Sequence, residues 1–167
     1  MKSGLLYLRP ARLTLVRVTG PYATTIPAAW EKMFAWLDKH GFNSSFGRGY
    51  GLARDNPNIV GADKCRYDAC VELEPIFEER AIRELGVQTL PGGSYVRERR
   101  TGGYDRYNQD STFHAAFEVP SGLMLDDKRP VVTIYLDDPR RIAAAELRSD
   151  FCVPVKAKTA RSELEAA

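Results

Sequence analysis

Apolar residues between positions 12 and 73 change their spacing twice, and each change marks a new element. RLTLVRV (12–18) is rich in apolar and β-branched residues and ends at the turn TGPY, which predicts a strand leading into a helix. One helix face is outlined by apolar residues three and four positions apart: Trp30, Met33, Phe34 and Leu37. Gly41 ends this helix, and residues 66–73 then alternate between two faces, as a strand does. With YGLAR (50–54) as a further strand, the pattern predicts a strand–helix–strand–strand unit.

The same unit is repeated 82 positions later. The motif R-x-D-x-C-V of residues 66–71 returns at 148–153, and the turn TGPY (19–22) returns as TGGY (101–104). The matches extend over roughly residues 4 to 156 without a slip in register, which indicates an internal duplication. Two copies are too few for a solenoid. We therefore expect the halves to pack about a pseudo-two-fold axis, with a groove between them.

This duplication predicts an α+β fold, in which two tandem strand–helix–strand–strand repeats form antiparallel sheets with two helices and a central groove. The repeats are placed at about 4–74 and 86–156, joined by a connector at 75–85, within a single domain of residues 1–167. The second helix is expected at about 105–119. GLLYL and GVQTL precede the first strand of each repeat across a short turn, and each is predicted to form a hairpin with that strand.

Composition and charge agree with one globular domain and argue against nucleic-acid and membrane partners. Of 167 residues, 44% are hydrophobic, and 24 Lys and Arg against 22 Asp and Glu leave a net charge of +2. The basic residues are scattered rather than gathered on one element, so direct nucleic-acid binding is not expected. No stretch approaches the roughly twenty apolar residues of a membrane span, and the first residues lack the pattern of a secretion signal. We expect no membrane partner.

The three cysteines form no C-x-x-C pair and have no histidine at zinc-ligand spacing, so they indicate neither a metal site nor a disulfide framework. A reducing cytoplasm is the expected location, and neither a metal nor a cofactor is expected. Cys70 and Cys152 occupy equivalent strand positions. They are therefore predicted to be small buried residues rather than nucleophiles.

Seven ordered motifs carry a resemblance to a known family: TGPY, AWEKMFAWL, DNP, CRYDACV, LPGGSY, IYLDDP and ELRSDFCVPV. Over roughly residues 4 to 155 the chain resembles the gyrase-inhibitor-like (GyrI-like) small-molecule-binding domain, which is also the effector-binding domain of AraC-type transcription regulators. The resemblance implies a pseudo-symmetric α+β domain whose groove binds lipophilic and often cationic compounds. It implies a small-molecule ligand as the partner and, for some relatives, DNA gyrase as a protein partner. Some relatives sequester drugs, and others hydrolyse cyclopropane-bearing toxins.

One departure from the family pattern removes a charge. The strand VTIY (132–135) has Thr133 where family members often have a glutamate, and Gly51 is the equivalent residue in the first repeat. A buried carboxylate attracts a desolvated cation strongly, whereas a hydroxyl group does not. Cation recognition through this strand is therefore not expected here.

A second departure adds a charge. Glu118 stands where the first repeat has Trp36, and Glu118, His114 and Asp110 are spaced by four residues along the second predicted helix, with Tyr107 beside them. If this stripe faces the groove, it supplies a carboxylate for a cation or a histidine as a general base. The alternative is a solvated helix face.

Aromatic residues supply the rest of the predicted site. Tyr50 and Tyr135 flank the position of the missing glutamate and are expected to line the groove. Trp30 and Phe34 lie on the apolar face of the first helix and are expected in the core, and Tyr104 is expected to be a structural hydroxyl anchor after its glycine turn. The predicted ligand-binding residues are Trp36, Tyr50, Tyr107, His114, Glu118, Thr133 and Tyr135.

Two function classes remain open on the sequence. The first is a binding protein, either a stand-alone effector-binding domain or a sequestering protein, for a lipophilic drug-like compound that is either neutral or cationic. The alternative is a hydrolase of a strained or electrophilic toxic small molecule, in which Glu118 or Asp110 acts with His114 and a tyrosine hydroxyl to activate water. No G-x-S-x-G, phosphate-loop or H-E-x-x-H motif is present. We therefore interpret the chain first as a binding protein and assign no catalytic residue.

Overall fold

The computed structural model describes residues 3–44, 47–104 and 119–159. The strands are β1 (Ser3–Leu8), β2 (Ala11–Thr19), β3 (Gly49–Ala53), β4 (Arg66–Glu72), β5 (Gly86–Leu90), β6 (Gly93–Thr101), β7 (Leu123–Leu125), β8 (Val131–Tyr135) and β9 (Arg148–Ala157). The helices are α1 (Tyr22–Lys39) and α2 (Glu78–Glu84), with short 3₁₀ turns at Ala62–Lys64 and Ala144–Glu146. Residues 105–118, where the sequence predicts a second long helix, lie outside the described residues. No helix within these ranges is both long and apolar enough to cross a membrane.

The antiparallel sheet is symmetric about its centre. Its strand order is β1-β6-β9-β8-β3-β4-β2-β5, and β7 pairs with the far end of β9. The central pair is β3 with β8, in which Gly51 lies opposite Thr133, its equivalent in the duplication. On either side, β2 pairs with β4 in the same register as β6 pairs with β9. The predicted α+β class with a pseudo-two-fold repeat is confirmed, and the axis passes between Gly51 and Thr133.

The first strand of each half pairs with the opposite half, so the predicted hairpins are wrong. β1 pairs with β6, and β5 pairs with β2. A two-residue hairpin needs a positive φ at its first central residue. The links between the strands are Arg9-Pro10 and Pro91-Gly92. Within the described residues none of these four has a positive φ, and a proline at the first central position of the second link could not adopt one. The strands on either side of each link therefore do not pair with each other, and β1 and β5 each pair with a strand of the other half.

Helix α1 packs one face against β2 and β4. Its buried residues follow helical spacing: Tyr22, Ile26, Ala29, Met33 and Leu37. The helix begins directly after Pro21, and Gly41, with a φ of +73°, adopts the left-handed conformation that ends it, as predicted. Helix α2, which the sequence did not predict, lies in the predicted connector and buries Ala81 against the end of α1.

Apolar side chains cover both faces of the sheet. On the face toward α1, the core includes Ala53, Tyr67 and Phe151. On the opposite face, Leu52, Cys70 and Cys152 belong to a second core. Both of these cysteines are fully buried, as the sequence predicted.

Polar contacts that recur with the duplication hold the strand ends. The hydroxyl group of Tyr104 lies 2.9 Å from the carbonyl oxygen of Asp137 and 2.8 Å from that of Arg148. Tyr22 makes the equivalent contacts in the first half. The expectation that Tyr104 is a structural anchor is therefore confirmed.

The buried aspartates of β4 and β9 differ in their partners. Asp68 is completely buried and accepts hydrogen bonds from Arg17 at 2.7 and 2.9 Å and from Arg54 at 2.9 Å. Its counterpart Asp150 accepts hydrogen bonds from Arg99. The position equivalent to Arg54 is a leucine in the second half, so the duplication preserved one ion pair and not the other.

Candidate ligand-binding groove

A groove of about 700 Å³ lies between the two halves, on the α1 side of the sheet. One wall is the exposed edge of α1, and the other is formed by the segments that follow β6 and β8. Gly47 and Gly49 bring the chain before β3 close to this space: a side chain at Gly49 would meet the Trp30 ring at 3.0 Å. A volume of this size is typical of sites for drug-sized ligands.

The groove has an aromatic wall, formed by Trp30, Phe34, Tyr104 and Tyr135. The rings of Trp30 and Tyr135 are 5.2 Å apart in an edge-to-face arrangement, and those of Tyr104 and Tyr135 are 4.8 Å apart. Burial raises the pKa of Tyr104 to about 12 and raises the pKa of Tyr135 as well. Both hydroxyl groups therefore stay protonated at neutral pH. The wall offers faces for stacking and for contact with a cation.

Glu72, the last residue of β4, brings a carboxylate to the rim of the groove. It accepts a hydrogen bond of 2.8 Å from the hydroxyl group of Tyr50. A side chain at Gly47 would come within 3.0 Å of this carboxylate, so the glycine leaves room for it. Burial, followed by this hydrogen bond, raises the pKa of Tyr50. Within the described ranges Glu72 has no ion pair with a lysine or an arginine, and its charge remains available.

The other two described acids of the groove, Asp137 and Asp138, are already paired. Asp137 accepts hydrogen bonds from the side chain and backbone of Arg148, and these contacts lower the pKa of Asp137. Asp138 accepts hydrogen bonds from Arg140, which lower its pKa although burial opposes the shift. These two carboxylates hold the loop after β8 in place, which leaves Glu72 as the acid suited to an incoming ligand among the groove residues that the structure describes.

A small chamber continues the groove toward the pseudo-two-fold axis. It holds about 20 Å³ and shares Ile26, Tyr104 and Tyr135 with the groove. Polar side chains that line it are Tyr67, Arg100, Tyr104, Thr133, Tyr135 and Ser149. The indole nitrogen of Trp30 donates to the hydroxyl oxygen of Tyr67 at 2.9 Å, and that oxygen lies 3.0 Å from the hydroxyl oxygen of Tyr135.

The residues predicted for the site lie in several places. Tyr135 lines the groove and the chamber, and Thr133 lines the chamber. Tyr50 lies on the opposite face of the sheet, and only its hydroxyl group reaches Glu72. Trp36 lies away from the groove, where it donates to Glu84 of α2 at 2.8 Å. Three of the predicted residues lie outside the described part of the chain: Tyr107, His114 and Glu118.

Glu72, Trp30 and Phe34 line the groove, although the sequence did not predict them there. Glu72 occupies a polar position of an alternating strand, which is also the signature of a solvent-facing residue. Trp30 and Phe34 follow the apolar spacing of α1, and that spacing does not distinguish the core from the edge of a groove. Gly47 and Gly49 were the available signal, because glycines near a strand start often permit close approach.

Comparison with known proteins finds relatives over most of the chain. The model of the GyrI-like small molecule binding domain matches residues 1–156. A protein of Cronobacter turicensis named DNA gyrase inhibitor is 28% identical over 152 residues, which cover 83% of this chain and 87% of that protein.

Solved structures share the fold. The C-terminal domain of EcmrR matches with a TM-score of 0.65 at 13% identity, over 94% of this chain and 98% of that one. SAV2435 bound to tetraphenylphosphonium matches with a TM-score of 0.64 at 15% identity, over 93% and 94% of the two chains. A hydrolase encoded by lin2189 from Listeria innocua matches with a TM-score of 0.53 at 14% identity, over 93% and 92%. At these identities the likeness concerns the fold alone.

Proposed function

Because this chain belongs to the family of GyrI-like small-molecule-binding domains, we propose that its groove binds lipophilic organic compounds that carry a positive charge. The observation that carries the proposal is the pairing of an aromatic wall with a carboxylate. Trp30, Phe34 and Tyr135 provide ring faces for an apolar body, and Glu72 provides a negative charge at the rim. A cation held between them gains both contact with the rings and charge attraction.

Glu72 takes the role in this proposal that Thr133 cannot fill. It belongs to the first half of the chain, whereas the glutamate that the family resemblance leads one to expect would belong to the second. Tyr50 orients one oxygen of the Glu72 carboxylate with its hydroxyl group, and the second oxygen remains for a ligand. That SAV2435 is bound to tetraphenylphosphonium supports the choice of a lipophilic cation.

The biological role that we propose is capture of such compounds, either to sequester them or to signal their presence. The likeness to the C-terminal domain of EcmrR supports an effector-binding role, and the relation to the effector-binding domains of AraC-type regulators stays a prediction. The name of the Cronobacter relative supports DNA gyrase as a candidate protein partner. A cytoplasmic location, which this partner would require, also stays a prediction.

Replacing Glu72 by glutamine is expected to weaken binding of methyltriphenylphosphonium by about 10-fold, because the side chain keeps its shape and loses its charge. Triphenylphosphine oxide has the same three phenyl groups with a neutral oxygen in place of the charged methylphosphonium end, and its affinity should change less than about two-fold. Isothermal titration calorimetry measures both. Glu31→Gln makes the same charge change on the exposed side of α1 and is the matched control. Equal affinity of the Glu72→Gln variant and the parent for the phosphonium would contradict the assignment of Glu72.

A protein that only binds should return its ligand unchanged. The hydrolase alternative depends on Asp110, His114 and Glu118, which lie outside the described residues. We expect a cyclopropane-bearing electrophile to be recovered intact after prolonged incubation, because binding alone does not favour a transition state. Mass spectrometry of the recovered compound would reveal addition of water, and enzyme-dependent addition that disappears in a Glu118→Gln variant would establish the hydrolase instead.

A further inference from the structure

Three hydrogen-bond donors and two acceptor oxygens meet beneath the groove. The indole N–H of Trp30 can only donate, and it donates to Tyr67. Tyr67 and Tyr135 share one hydrogen bond between their hydroxyl groups. These two contacts use two of the three donors. One hydroxyl proton, on either Tyr67 or Tyr135, is therefore left over.

The hydrogen bond from Trp30 decides which tyrosine keeps the remaining proton. The Tyr67 hydroxyl group lines the chamber but not the groove, and because it already accepts a hydrogen bond from Trp30 it is polarised to donate onward to Tyr135. Tyr135 borders both the groove and the chamber, where a ligand or a water molecule can approach. Tyr67 is therefore the donor to Tyr135, and the hydroxyl proton of Tyr135 has no protein acceptor within the part of the chain that the structure describes.

The chamber beside Tyr135 is rich in donors. Its volume of about 20 Å³ suits one atom group of the size of a water molecule. Arg100 lines it as well, with its guanidinium 4.1 Å above the Phe151 ring and bonded to Glu98 at 3.2 Å. No aspartate or glutamate lines the chamber among the described residues. At the groove rim, by contrast, Glu72 supplies a negative charge, although Arg48 lines the groove as well.

We propose that the chamber is a subsite for a hydrogen-bond acceptor on the ligand, such as a carbonyl or phosphine-oxide oxygen, and that Tyr135 is the residue that recognises it. Trp30 and Tyr67 are positioning residues, because together they turn the Tyr135 proton away from the protein. Thr133 is compatible with this subsite. A glutamate at that position would accept the Tyr135 proton itself, and its negative charge would repel the ligand oxygen. The inference rests on the proposed function, in that the apolar body of the ligand occupies the groove.

The test compares triphenylphosphine oxide with methyltriphenylphosphonium, which differ at the one position that would enter the chamber. Tyr135→Phe is expected to weaken binding of the oxide by about 3- to 10-fold, the range for one neutral hydrogen bond, and to weaken phosphonium binding by a smaller factor, because phenylalanine keeps the ring of the groove wall. Isothermal titration calorimetry gives both affinities, and melting curves without ligand verify that each variant is folded.

Two further variants separate recognition from structure. Tyr67→Phe removes the hydroxyl group that positions Tyr135 but keeps the Tyr135 proton, so the oxide should lose less affinity than it does in Tyr135→Phe. Tyr95→Phe removes a buried hydroxyl group on the opposite face of the sheet, where it donates to the carbonyl oxygen of Pro91 at 3.0 Å, and should affect neither probe.

Each result bears on a different claim. If the phosphonium binds but Tyr135→Phe leaves the oxide affinity unchanged, this inference is overturned and the proposed function still stands. Equal losses of oxide affinity in Tyr67→Phe and Tyr135→Phe would also overturn it, because they would indicate a structural effect. Binding of neither probe by the parent protein would overturn the proposed function, and the inference with it.

Discussion

Replacing Asp68 by alanine is expected to lower the free energy of unfolding by about 3 kcal/mol. Asp68 is completely buried and bonded to both Arg17 and Arg54, so its removal leaves two guanidinium groups without their partner. Loss of one member of a buried ion pair typically costs about 3 to 5 kcal/mol. The lower end applies because Arg17 is 39% exposed and can recover hydration. Equilibrium unfolding in urea measures the change.

The second half supplies the matched control for this prediction. Asp150 is bonded to Arg99, which is 46% exposed, and lies 3.9 Å from Arg97. Asp150→Ala should therefore cost only about 1 to 2 kcal/mol. Asp68 lies on the sheet face opposite the groove, so methyltriphenylphosphonium affinity should survive in the folded variant. Equal destabilisation by the two alanines would contradict the special role of Arg54, and loss of binding with stability intact would contradict a structural role for Asp68.

Replacing Gly51 by alanine is expected to destabilise the protein by about 2 kcal/mol, within the range for an overpacked core. A methyl group there would lie 2.1 Å from the hydroxyl oxygen of Tyr67 and 2.9 Å from its ring. The ring cannot move easily, because Trp30 and Tyr135 hold its hydroxyl group. Thermal and urea unfolding measure the effect. Gly4→Ala is the control, since no atom lies within 4 Å of the added group, and should change stability by less than about 0.5 kcal/mol.

The duplication also provides a way to rescue Gly51. In the second half, Thr133 occupies the position of Gly51 and Ser149 occupies that of Tyr67. The first half thus combines the small Gly51 with the large Tyr67, whereas the second half has a larger residue at the first position, Thr133, and a smaller one at the second, Ser149. Adding Tyr67→Ser to Gly51→Ala should make the two changes less costly together than the sum of their separate effects. Strict additivity would show that the clash with Tyr67 is not the cause.

Much of the fold follows from the duplication. Residues 82 positions apart are expected to lie on the same sheet face and in the same pairing register, so one half predicts the other. The partners of β1 and β5 could not be predicted in this way. Alternation of apolar residues gives the face of a strand but not its neighbour. The links Arg9-Pro10 and Pro91-Gly92 contained the missing information, since a proline cannot take the positive φ of a tight hairpin.

The site was harder to predict than the fold. Register explains the position of Tyr50: it lies opposite Ile134, whereas Thr133 and Tyr135 lie opposite Gly51 and Gly49 and share their face. The two tyrosines that flank the missing glutamate in sequence therefore lie on opposite faces of the sheet. Glu72 follows the last residue of β4 that pairs with β3, so its carboxylate reaches the groove around a strand end. Alternation alone does not predict such a path.

The exchange of β1 and β5 between the halves constrains how the chain can fold while it is being made. Ser3, near the start of the chain, pairs with Glu98, and Leu8 pairs with Gly93. Because β1 is synthesised well before β6, it must wait unpaired until β6 has been made. β2 and β4 can pair early, but the outer edge of β2 also remains open until β5 follows. Such long-range pairing slows folding and leaves strand edges exposed to other chains in the meantime.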